Sequence, residues 1–371
     1  MKRYILIVAA VALATVSCSR NYDVNTAGEQ EIGFGTWAEQ LTKARGITEG
    51  AFGNEDTFNV FGSKVLGGAT SVVFNGDKVT RDATKWNYAP PRFWDPAATS
   101  YTFYAISPAG LVTGMDDAAK TTAAKTGAIT TDEITFDGTV SNDVMIAKKT
   151  PVTPSGSPAA YSNPVTLDFQ HMASLIDVKV KKSYSLKDAT VEVTGISLEN
   201  IVYKGTLAIT SYVTEAGDDI NKPVVAISNW TPAASESTTT FTGTPTAAAP
   251  TELTQYGYAS VDGEGLSGAN NYFWQNFVVM PQTLGTQQIK ISYKITTNVG
   301  EVTTFTDKTV AFSAFDTVDN KVNTDTSASA GWNPNVHYIY TLTLDANKIE
   351  FDANITPWAT TTVSGYYNLL N

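Results

Sequence analysis

The stretch QQIKISYKITT, residues 287–297, decides how this chain is read. β-Branched and aromatic residues alternate in it with polar ones at close to a period of two, the spacing of a strand with one face turned to a core. The pattern recurs in SVVFNG (71–76), YTFYAIS (101–107), LIDVKVK (175–181), ATVEVTGISL (189–198), VTTFTDKTVAF (302–312) and VHYIYTLTL (336–344). Gly, Asn, Asp or Pro bounds each run. Helical periodicity is scarce, and only 115–133, with its Ala and Lys content, permits a short helix. Many short strands with turn signals argue for an all-β fold of sandwiches rather than a parallel sheet with crossover helices.

At 371 residues the chain has room for two domains. The stretch AKKTPVTPSGSPAAYSNP (147–164) holds four prolines, which lack the amide proton a ladder needs. It reads as a linker or long surface loop, with the boundary near its end. The expected domains are 46–164 and 165–371. STTTFTGTPTAAAP (237–250) reads as a loop inside the second, and no clean internal repeat is visible.

The single cysteine, Cys18, rules out an internal disulfide, and one Cys with two His cannot build a structural zinc cage. Oxygen-ligated calcium stays open, though no EF-hand spacing occurs. No cofactor is expected. Hydrophobic residues make up 42% of the chain and aromatics 11%, enough for substantial cores. The net charge of −11 without a basic face argues against nucleic-acid binding.

Cys18 sits in a telling context. Lys2 and Arg3 precede the apolar run Ile5–Val16, followed by Ser17 and Cys18. This is the order of a secretory signal, with an apolar run too short to span a bilayer. TVSC (15–18) resembles a bacterial lipobox. That resemblance implies removal of 1–17 and acylation of Cys18, with palmitate among the chains; a plain signal peptide with an incidental cysteine is the alternative. Two or more acyl chains would hold the protein on a membrane. No later run approaches 18 apolar residues.

Enzyme motifs are nearly absent. No Gly-rich phosphate loop, GxSxG elbow or HExxH occurs. His171 in LDFQHMASLIDV and His337 in HYIYTLTL read as packed or hydrogen-bonded strand histidines, and nothing marks a catalytic carboxylate pair. The chain reads as a non-enzyme. Trp86, Trp94, Trp230, Trp274, Trp332 and Trp358 lie mostly beside Pro or Asn at strand ends. They read first as core residues and second as a sugar-stacking platform.

The two ends carry more. EQEIGFGTW (29–37) alternates, so Ile32 and Phe34 share one face of a strand. The loop after it contains Lys43, Arg45 and Gly46, a target for a trypsin-like protease. At the C-terminus, ATTTVSGYYNLLN (359–371) forms an uncharged strand with Val363, Gly365, Tyr367 and Leu369 on one face. Such a strand is an edge hazard within one molecule and a ready strand for another.

These features occur together with WNYAPPRFWDPAATSYTFYAISP (86–108), VTLDFQHMASLIDVKV (165–180), WNPNVHYIYTLTL (332–344) and ITPW (355–358). Over nearly the whole chain the combination resembles the fimbrillin-like proteins of Bacteroidales, the subunits of type V pili. The resemblance implies two tandem β-sandwich domains of transthyretin-like, Greek-key type, and export as an outer-membrane lipoprotein. It implies that an Arg-specific, trypsin-like protease cuts between Arg45 and Gly46, with Lys43 the other candidate. The lost leader would be 18–45, carrying the strand with Ile32 and Phe34. The tail 360–371 of another copy, or of a related pilin, would fill the opened groove through Val363, Gly365, Tyr367 and Leu369. Repetition gives an extracellular fimbrium that meets a host or bacterial surface receptor. A pilus tip adhesin or a surface glycan-binding lipoprotein is the second reading.

Overall fold

The computed structural model describes residues 30–36, 56–82, 85–140, 143–152, 164–214, 221–234, 238–257, 268–269, 271–314 and 331–357. Among them the chain is all-β apart from one α-helix, Asp117–Thr126, and a few 3-10 turns. The alternation in the opening stretch is realised fully. In strand Gln288–Thr296 the residues Ile289, Ile291, Tyr293 and Ile295 are buried and the residues between them are not. On the outer face Lys290 pairs with Glu199 and Lys294 with Glu192, each at 2.6 Å, across the ladder to Thr190–Val202.

The C-terminal half is a sandwich. One sheet holds Ser174–Ser183, Val336–Leu344 and Ile349–Pro357, with Asn271–Val279 on its other side. The second holds Thr238–Thr242, Thr190–Val202, Gln288–Thr296 and Val302–Ala311. Their facing residues, among them Ile176, Val178, Leu198, Ile291 and Tyr340, form one apolar core, which Trp332 of the short strand Gly331–Trp332 joins.

In the N-terminal half one sheet has its central strands, Thr57–Leu66 and Ser100–Ser107, buried on both faces. It runs through Met145–Val152, Ser100–Ser107, Thr57–Leu66 and Ala69–Arg81. Tyr101, Phe103 and Ala105 enter one core, while Tyr104 and Ile106 enter another. This is why YTFYAIS carries large apolar residues at successive positions. The helix covers the second core with Ala123 and Ala124, whose small side chains allow close approach. Asp116 caps its N-terminus by accepting from the Ala119 N–H at 2.8 Å. Gly127 ends it at φ 73°, where a Cβ would stand 2.1 Å from the Tyr104 ring.

Ladders run across the expected boundary after Pro164. Val165–Leu167 pairs with Phe34–Thr36, Gln170–His171 with Met145–Val152, and Lys204–Ile209 with Ile129–Asp137. Two expected loops are corrected. Residues 147–152 belong to a strand, because Thr150 and Pro151 occupy a bulge between the pairs Tyr101–Val152 and Phe103–Lys149. There the missing proline amide breaks no ladder bond. Thr238–Thr242 is likewise a strand, anchored by Phe241 opposite Leu198.

Candidate functional site

The residues Ile32 and Phe34, which alternation places on one face, are 0% and 5% exposed in the N-terminal core. Gln30–Thr36 lies between two main-chain partners. On one side the Ile32 N–H donates to the Arg92 carbonyl at 2.8 Å, and the Trp94 N–H donates to the Gln30 carbonyl at 2.9 Å. On the other the Val165 N–H donates to the Gly33 carbonyl at 2.8 Å, opening the parallel ladder of Phe34–Thr36 with Val165–Leu167. The Tyr88 hydroxyl adds a bond to the Ile32 carbonyl at 2.6 Å.

Phe34 fills an aromatic box. Its ring meets Phe58, Phe74, Tyr88 and Phe103 edge-on at centroid distances of 5.9, 5.4, 5.8 and 5.8 Å. Such pairs add about 0.5–1.5 kcal/mol each beyond area burial. The opposite face of the segment carries Glu31 and then Gly33 and Gly35, both glycines turned towards Pro164.

The wall that holds Ile32 is itself pinned. The Arg92 guanidinium donates to the Val73 carbonyl at 3.0 Å and to the Pro90 carbonyl at 2.9 Å, and lies 3.4 Å from Asp77. Trp94 packs edge-on against Tyr101 at 4.7 Å. Beyond it Lys64 bonds Asp95 at 2.6 Å and holds that carboxyl below its ordinary range. Burial pushes the Tyr88 phenol well above its ordinary value, so it stays a protonated donor. The seat offers main-chain bonds on two edges, one hydroxyl donor and two apolar sockets. Such a setting can hold an extended chain.

Of the other expected site residues, Cys18, Lys43, Arg45, Gly46, Val363, Gly365, Tyr367 and Leu369 lie outside the described residues. Sequence reasoning did not single out Tyr88, Arg92 or Pro164. The dense aromatic and proline content of 86–108 was the available signal. Trp86, Trp94, Trp230 and Trp332 are buried and Trp274 is half-buried. His171 Nδ1 lies 2.9 Å from the Asp143 carboxylate, and His337 Nε2 lies 3.2 Å from that of Asp177. Among the described residues no group of three or more His, Cys, Asp or Glu could hold a metal ion. No helix among them is long and apolar enough to cross a membrane.

A fimbrillin-like family model matches residues 42–358. A fimbrial protein from Bacteroides vulgatus superimposes with a TM-score of 0.50 at 17% identity, covering 89% of this chain and 99% of that one. That likeness concerns the fold alone. The tip fimbrial protein Mfa3 from Porphyromonas gingivalis gives 0.36 at 12% identity, over 82% of this chain and 95% of that one, too low to carry an argument. No curated protein matches the chain.

Proposed function

This chain belongs to the fimbrillin-like family, and from that membership we propose that it is a structural pilus subunit assembled by protease-triggered strand exchange. Export as an outer-membrane lipoprotein through Cys18 tethers the precursor. A trypsin-like protease then cuts between Arg45 and Gly46, or after Lys43, and the first strand leaves with its leader. The tail 360–371 of another copy or a related pilin enters the vacated seat with Val363, Gly365, Tyr367 and Leu369 inward. The observation that supports this reading is the setting of Ile32 and Phe34, buried between residues 92–94 and 165–167. Reseating two such side chains is worth roughly 1.5–3 kcal/mol each. While the first strand is attached, its effective concentration keeps a competitor out, so cleavage makes the switch irreversible. Contacts between donor and groove are head-to-tail, and such contacts propagate filaments instead of closing dimers.

The test is low-dose trypsin on the lipid-free chain 19–371, with the new N-terminus read by mass and polymers by gel without boiling. A cut giving Gly46 and resistant oligomers, abolished when 360–371 is deleted, is expected. Polymers that persist without 360–371 would overturn the donor assignment.

A further inference from the structure

We propose that the strand Val302–Ala311 is a guarded edge, shaped by a bulge at Asp307 and an ammonium at Lys308 so that it does not pair with the same strand of a second copy.

Among the described residues this strand pairs on one side only, with Gln288–Thr296, and it ends its sheet. Val302 to Thr304 and Thr306 to Thr309 are exposed, Val302 by 58%. The unpaired edge therefore faces water. Apart from Asp307 and Lys308 the run VTTFTDKTVA is uncharged, and every other residue except Ala311 is β-branched or aromatic. A long edge of that composition is a template for another chain, and two copies could pair on it about a two-fold axis.

Two features interrupt the template at its middle. Thr306 and Asp307 together oppose the single residue Ser292, between the pairs Tyr293–Phe305 and Ile291–Lys308. Asp307 takes the left-handed backbone at φ 49°, and its N–H donates to the Ser292 hydroxyl of its own sheet at 2.9 Å. The extra residue leaves Phe305 stacked on Tyr293 at 4.5 Å and Val310 opposite Ile289, both packed against the core. A regular partner strand cannot follow the kink this makes in the edge.

The second feature is Lys308. It stands directly opposite Ile291, which is 0% exposed, and residues so paired share a face. Its side chain therefore starts on the core side of the sheet, at the open rim, and stays exposed. A strand added beyond it would carry that face past the ammonium and take the charge out of water, which is costly without a carboxylate to meet it. The strand's one carboxylate, Asp307, lies 3.5 Å from the Ser292 hydroxyl at the bulge.

The test is sedimentation velocity on the uncut, lipid-free chain 19–371, whose first strand is still attached, so strand exchange plays no part. Deleting Asp307 closes the bulge and Lys308→Thr removes the ammonium. The two changes together should tighten self-association at least about tenfold. Asp307→Gly, which keeps the left-handed turn, should behave as the parent chain. Adding Thr303→Lys to the two changes sets a new ammonium opposite the buried Ile295 and should restore the parent behaviour, which it would not do for a chain that had merely misfolded. Amide protection at Ile291 reports an intact sheet. Protection without a gain in association, or association that survives Thr303→Lys, would overturn the proposal. If the deletion strips protection from Ile291, Lys308→Thr alone decides: it should tighten association about threefold or more, and no change would overturn the guard.

Discussion

The Tyr88 hydroxyl donates a 2.6 Å hydrogen bond to the carbonyl of Ile32, 56 residues earlier in the chain. Removing that oxygen by Tyr88→Phe keeps the ring against Phe34 and Phe74, at 5.8 and 5.2 Å. It leaves a buried carbonyl short of a donor, at a cost of about 1–3 kcal/mol. Amide exchange should quicken at Ile32 and Phe34 and stay unchanged at Ile291 in the C-terminal core. A uniform change along the chain would refute a local role.

Phe34→Ala should be the more damaging change. It empties a box of four rings that cannot close on the void, and truncating a buried Phe costs about 3–5 kcal/mol. Phe34→Leu should cost clearly less, because it keeps most of the volume. Urea unfolding of the full chain measures both. Equal midpoints for the two variants would show that the box is not tightly packed.

How much of this was visible beforehand depended on whether a pattern was local. Ile289 to Ile295 declare a half-buried strand within nine residues, and Ile32 with Phe34 do so within three. The Thr238–Thr242 strand gave no such sign. Its threonines face solvent alternately, and only Phe241 turns to the core. Pro151 misled for a different reason, since a bulge excuses a proline only once its partner strand is known. The seat itself is long-range. Ile32, Tyr88 and Val165 meet through ladders that no window of sequence contains, so its sockets were foreseeable and its walls were not.

In the C-terminal core the Trp332 indole N–H donates to the Tyr340 hydroxyl at 2.7 Å, with Phe312 edge-on to both rings at 5.1 and 4.8 Å. Tyr340→Phe removes that acceptor from a fully buried indole and should cost about 1–3 kcal/mol. Trp332→Phe combined with Tyr340→Phe should cost less than the sum of the two. Strict additivity in urea unfolding would mean that the bond contributes nothing.

Alkaline pH should weaken the fold through its buried phenols. Burial raises Tyr104 to about 12 and pushes Tyr212 and Tyr340 further in the same direction. In the unfolded chain these groups ionise near 10.0. Below that pH both states keep their protons and stability is complete. Above it only the unfolded state ionises, so unfolding releases protons and stability falls through the window from 10.0 to about 12 and beyond. Lys148 acts in the opposite sense. Its ammonium sits over Tyr104 and Tyr212 at 5.6 and 4.8 Å, and burial lowers its pKa. The folded state therefore sheds this proton first, and stability rises slightly until the unfolded lysine, near 10.5, has shed it too. The melting temperature should be flat or rise a little up to about pH 10 and then drop steeply. An ultraviolet titration should divide the 17 tyrosines into a class that ionises normally and a class that ionises only on unfolding. One class near 10.0, with no fall in melting temperature above it, would show that these phenols are not held in the cores as described.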